Sequence, residues 1–148
     1  MIQAITETPI IIILQTEDNR INTSVASTQI RHLVKFTNDL DKSVYYVYGN
    51  TEIIKDRYTK ITTIYSTTPN IYTGRVKLFP AGYYKYEIYE VSWIGTVTVS
   101  SGNAPATEDD VLSPAANTKG VVQGLVTKGK MNLSEKDGTQ QVQYTQRE

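Results

Sequence analysis

The chain has 148 residues, carries 15 basic against 15 acidic side chains for a formal net charge of zero, and contains no cysteine. That length suits one domain with a sizeable core, and the balanced charge argues against the basic stripe of a nucleic-acid surface and against electrostatic membrane binding. The missing cysteines exclude a disulfide framework, a cysteine-ligated metal and a thiol nucleophile.

Eleven tyrosines and many threonines, against two Phe, one Trp and two Met, form a composition suited to pleated, half-wet sheets. Met1 to Thr8 is polar and short of pattern, and reads as an N-terminal arm over residues 1–8. Pro9 then leads into Ile10-Ile11-Ile12-Ile13-Leu14. This continuous run fits a strand buried on both faces, or one paired against a partner chain. It is too short for the apolar part of a signal peptide or for a membrane helix of about 20 residues, and no Lys or Arg precedes Arg20. Together with the absent cysteines, this points to assembly in a reducing cytoplasm.

Glu17-Asp18-Asn19 is turn-like and Asn22 to Thr28 a polar connection. Ile30, His32, Val34 and Phe36 then alternate with Arg31, Lys35 and Thr37, the period of a strand. Asn38 to Asp41 is a turn. Val44 to Tyr48 is an aromatic strand with no evident inward face, closed by Gly49-Asn50. Thr51 to Arg57 is a short edge strand or a loop, and Tyr58 to Ser66, equally mixed on its two faces, suits an edge or solvent-flanked strand.

From Ile71 to Trp93 the pattern is strand, tight turn, strand. Val76 and Leu78 share one face, and Arg75 and Lys77 the other. Phe79-Pro80-Ala81-Gly82 supplies turn chemistry, and Tyr84, Tyr86 and Ile88 alternate after it. Composition shifts at Ser100. Residues 100–120 are small, Pro-bearing, acidic and free of aromatics, a loop excursion with one helical turn capped by Thr107. Such a loop is expected to be dispensable for folding. Val121 to Val126, interrupted by Gly124, and Lys130 to Leu133 return to strand. Residues 134–148 form a tail in which Val142 and Tyr144 alternate with glutamines, a strand-forming pattern. Short strands with turns between them and no long helix give a single all-β sandwich domain over 1–148.

Little in the chain suggests catalysis. His32 lies at an inward position with no nucleophile or orienting acid beside it in sequence. The glycines sit singly at turns, so no phosphate-cradling loop exists. Glu108-Asp109-Asp110 and Asp39-x-Asp41 lack the ligand ladder of a calcium loop, and two glycosylation sequons, at Asn22 and Asn132, lack a secretory context. The expectation is no catalytic residue, no cofactor and no metal. The chain ends offer binding instead. Ile10, Ile11, Ile12 and Ile13 at the front and Val142 and Tyr144 at the back are the partner-binding candidates, because extended segments complete another sheet's edge.

Leu78-x-Pro80-x-Gly82-x-Tyr84-x-Tyr86 resembles the E–F corner of immunoglobulin-like sandwiches, where a tyrosine after a Pro/Gly turn returns its hydroxyl to the backbone. The resemblance makes Tyr84 the structural corner tyrosine and puts Tyr86 where antibody-type domains place a cysteine. It implies an immunoglobulin-like β-sandwich. In character the whole chain is similar to the small Ig-like structural proteins of tailed-phage virions, which decorate or cement capsids or serve as head–tail and fibre accessories. GLVTKGKMNL (Gly124 to Leu133) and VQYT (Val142 to Thr145) further resemble short capsid-associated proteins of phages of the crAss-like group. This resemblance implies a non-enzymatic virion protein, present in many copies per particle and assembled in the host cytoplasm. Its partner would be the major capsid protein or another virion protein, with no nucleic acid and no membrane involved. Two rivals stay open. An exported bacterial surface or pilus-like Ig module would share the corner and the threonines. A carbohydrate-binding sandwich would use exposed aromatics, with Tyr83, Tyr89 and Trp93 as candidates.

Overall fold

The computed structural model describes residues 2–14, 21, 24, 26–55, 58–112 and 119–135. Among the described residues the chain forms strands β1 (Ile2–Ile5), β2 (Ile10–Leu14), β3 (Ile30–Asn38), β4 (Val44–Tyr48), β5 (Thr51–Ile54), β6 (Thr59–Tyr65), β7 (Arg75–Val76), β8 (Gly82–Ser92) and β9 (Val121–Ser134), with two single 3-10 turns and no α-helix. They make two sheets. The larger has the order β1-β9-β8-β3-β4, and the smaller β2-β6-β5, with β7 added beside β6.

The sheets pack face to face as an all-β sandwich, because alternation sends one set of side chains from each strand into a shared core. Val34 and Phe36 from β3, Val47 from β4, Tyr84 and Ile88 from β8 and Met131 from β9 meet Ile10, Ile12, Leu14 and Ile61 from the smaller sheet. At one end of this inner layer His32 is buried. Its backbone N–H donates to Glu52 Oε2 at 2.9 Å and its Nδ1 lies 2.9 Å from Glu52 Oε1, so a side chain of β5 spans to β3 in the other sheet.

Several expectations need correction. The supposed arm contains β1, which runs parallel to the end of β9 with Ile2 opposite Met131 and Ala4 opposite Leu133. Ala4 is buried, and that burial against β9 is what orders a segment too short to show a pattern. The isoleucine run is not buried on both faces: Ile10, Ile12 and Leu14 are buried, whereas Ile11 and Ile13 are 48% and 65% exposed. Tyr58 to Ser66 is not an edge, because β6 is flanked by β2 and β5. Its small Thr59 and Thr63 enter the core beside Ile61, where their β-branched shape packs well. The Ile71–Trp93 region is not a hairpin. β7 pairs in parallel with β6, and the chain crosses to the larger sheet at the Pro80 turn before starting β8.

The two C-terminal strand pieces are one strand of 14 residues. Its pairing with β8 shifts register after Ile88 and again after Glu90. Gly124, opposite Glu90, has φ 146°, a backbone that a side chain would resist.

Candidate functional site

Hydrogen bonds fix which backbone groups of each edge strand face outward. Tyr58 O accepts from Lys55 N, while Ile64 N and Ser66 N donate to Gly74 O and Val76 O. Even-numbered residues of β6 therefore bond toward β5 and β7, and the odd-numbered Thr59, Ile61 and Thr63 bond toward β2. Their partners there are Leu14, Ile12 and Ile10. By alternation, Ile11 and Ile13 turn their N–H and C=O groups away from β6, toward a side where no described strand lies. Each of these two residues thus presents an exposed apolar side chain and an open pair of backbone groups together.

Of the four isoleucines expected at a partner surface, Ile10 and Ile12 belong to the core, and Ile11 and Ile13 form the open edge. Identical residue types gave no local signal to separate them. Val142 and Tyr144 lie outside the described residues.

The outer face of the larger sheet is built differently. Leu33, Tyr48, Val91 and Trp93 are fully buried there together with Ala104, flanked by Tyr46, Tyr72, Tyr89 and Val97. Residues 93–112 fold back over this face and close it. The Tyr48 hydroxyl donates to Pro105 O at 2.6 Å, the Trp93 ring N–H donates to Asn103 O at 3.3 Å, and Gly120 N donates to Asn103 O at 2.8 Å. Gly120 sits against the Trp93 ring so closely that a Cβ there would come within 2.7 Å of it. The supposedly dispensable excursion is therefore the lid of a second core, because Ala104 from it, and Val97 and Val99 just before it, pack with Leu33 and Val91 on the sheet's outer face.

Glu108 latches this lid. Its carboxylate accepts from Lys35 Nζ at 2.7 Å, from the Tyr46 hydroxyl and, at 3.4 Å, from the Tyr89 hydroxyl. Burial opposes the charged carboxylate, but the Lys35 and Tyr46 bonds outweigh it and hold the pKa down to about 2. Burial first, and the neighbouring Glu108 charge after it, push the Tyr46 hydroxyl up to about 12. At Thr107 the chain makes a single hydrogen-bonded turn that does not continue into a helix: Asp110 N donates to Thr107 O, and Ala106 N to Asp110 Oδ2.

Tyr84 is buried, and its hydroxyl donates to Pro80 O at 2.7 Å, four residues upstream. Tyr83 is 55% exposed, whereas Trp93 is fully buried and Tyr89 is half-buried with its hydroxyl on Glu108. The three aromatics named for a glycan platform do not share a surface. His32 is satisfied by Glu52, and Glu90, its neighbour across β3 and β8, accepts from Ile21 N at 2.9 Å. No set of three His, Asp or Glu side chains among the described residues is arranged to hold a metal ion. No described helix is long and apolar enough to cross a membrane.

No family model, no curated protein and no solved structure matches the chain, so its function has to be read from the open edge and the covered face.

Proposed function

We propose that the chain is a non-enzymatic immunoglobulin-type module that docks onto a capsid protein, or another virion protein, by strand addition at β2. The strand orders support the immunoglobulin reading. β9-β8-β3-β4 corresponds to the G-F-C-C′ sheet of variable-type domains and β2-β6-β5 to B-E-D, with Tyr84 in the E–F corner position.

One observation carries the docking reading: Ile11 and Ile13 combine exposed side chains with outward backbone groups. Natural edge strands are blunted by lysine, proline or bulges, since an open flat apolar edge pairs with other chains. β2 has none of these within its five residues, IIIIL. Such an edge in an abundant protein is a liability unless a partner strand covers it. The virion setting rests on the resemblance of residues 124–133 and 142–145 and on the character of the whole chain.

The test is incorporation. Ile11→Asp combined with Ile13→Lys should leave cooperative unfolding intact, because both side chains point away from the core. Burying one Ile side chain is worth about 1.5–3 kcal/mol, so the double variant should bind particles at least about 100-fold more weakly. Full incorporation of the double variant would overturn β2 as the dock. Recovery of the native protein from an outer-membrane fraction, and never from particles, would replace the virion setting with the exported-module alternative.

A further inference from the structure

Among the described residues the larger sheet ends at β4, with the Ile71–Thr73 turn and β7 close beside it, and the chemistry of this edge is different. Asn38 N donates to Ser43 O at 2.9 Å, and β3 and β4 continue in the same antiparallel register, Thr37 opposite Val44 and Phe36 opposite Tyr45. Ser43 and Tyr45 therefore bond toward β3, while Val44 and Tyr46 aim their N–H and C=O groups outward. Beyond this edge lies a groove of about 440 Å³, with Val44, Tyr45 and Tyr46 on one wall and Ile71, Arg75 and Lys77 on the other. Arg75 and Lys77 are exposed on either side of the buried Val76, so both cations stand on one side of their segment. No carboxylate of the described residues lines the groove, and neither cation is in an ion pair with a described residue.

We propose that this groove is a second docking site, which takes an extended acidic peptide segment of a partner protein. The two outward N–H and C=O pairs of β4 supply ladder hydrogen bonds, which favours a peptide over a sugar. An extended peptide repeats its same-face side chains every two residues, about 6.5–7 Å. Arg75 and Lys77 are also two apart, so alternate Glu or Asp side chains of the incoming strand meet one cation each. Val44, Ile71 and the tyrosine rings receive the apolar residues between them. The site is separate from β2, which is the edge of the other sheet.

The experiment uses the full chain and a fluorescent, end-capped eight-residue peptide of alternating glutamate and valine, read by anisotropy. Saturable binding is expected, at least tenfold weaker for Arg75→Glu/Lys77→Glu and weaker again as salt rises from about 50 to 300 mM. A thermal melt checks folding, and Arg75→Gln/Lys77→Gln replaces the reversal if that variant unfolds. Two further probes carry N-methyl groups on all glutamates or on all valines. Backbone pairing requires one of the two to lose binding. Ile11→Asp/Ile13→Lys should bind the parent peptide unchanged. Undiminished binding by the charge variants, equal binding of both methylated probes, or tighter binding of polygalacturonate than of the peptide would each overturn the proposal.

Discussion

The outer face of the larger sheet and the outer edge of the smaller one present the same kind of residue, and among the described residues only the first is covered. Leu33 and Val91 point away from the sandwich core yet are fully buried, because residues 93–112 return over them. Ile11 and Ile13 also point away from the core, and they remain 48% and 65% exposed. An irregular segment covers a face through its carbonyls. Pro105 O and Asn103 O accept from the polar tips of Tyr48 and Trp93, so aromatic residues with a hydrogen-bonding tip suit this layer. Aliphatic isoleucines have no such tip, and a strand edge asks for another strand. The difference separates a second core, which belongs to folding, from an open edge, where the proposal places a partner strand.

Removing the cover should give the largest effect. Replacing residues 94–119 with a short Gly/Ser linker exposes Leu33 and Val91, at about 1.5–3 kcal/mol each, and Trp93 and Tyr48 besides. The expected loss is above about 5 kcal/mol, comparable with the whole stability of a domain, so cooperative denaturant unfolding should disappear. A change of about 1 kcal/mol, the scale of loop closure alone, would show that the face is not a core.

The bond from a tyrosine tip to a carbonyl can be sharpened at Tyr84, which uses it inside the sandwich core. Tyr84→Phe should lose about 0.5–1.5 kcal/mol and Tyr83→Phe almost nothing, measured by denaturant midpoint. Equal costs would remove the corner bond from the account.

The latch should act more weakly, by about 1 kcal/mol or less, as partly exposed ion pairs do. Glu108 has its pKa lowered from 4.5 to about 2. Its contribution is therefore complete above about pH 4.5 and is lost as the pH falls toward about 2. Glu108→Gln should be slightly less stable than the native chain at pH 7 and should show a flatter stability profile across that acid window. Parallel profiles for the two proteins would mean that the carboxylate does not hold the lid.

Alternation made β3 and β8 legible, since one face of each is apolar over many residues. β4 gave no inward face for a physical reason. Tyr45 and Val47 enter the sandwich core while Tyr46 and Tyr48 enter the covered outer layer, so both of its faces are buried or half-buried. The lid was illegible because its contacts are long-range: Lys35 and Glu108 are 73 residues apart, and a small, acidic, Pro-bearing segment looks the same whether it packs or not. β6 read as an edge because threonine is a poor marker of burial. The isoleucine run announced a strand, but only its pairing to β6 shows which members face outward.

The open edge itself can be measured directly by residue-resolved amide hydrogen exchange on the isolated full chain. The amides of Ile12 and Leu14 bond to β6 and should exchange slowly, at rates set by opening of the sandwich. Those of Ile11 and Ile13 should exchange at least about 100-fold faster, giving alternate protection along β2, and Ile11→Thr and Ile13→Thr should each change stability by less than about 0.5 kcal/mol. Slow exchange at Ile11 and Ile13 in the isolated protein would contradict the account, because the edge would then already be occupied by the chain itself.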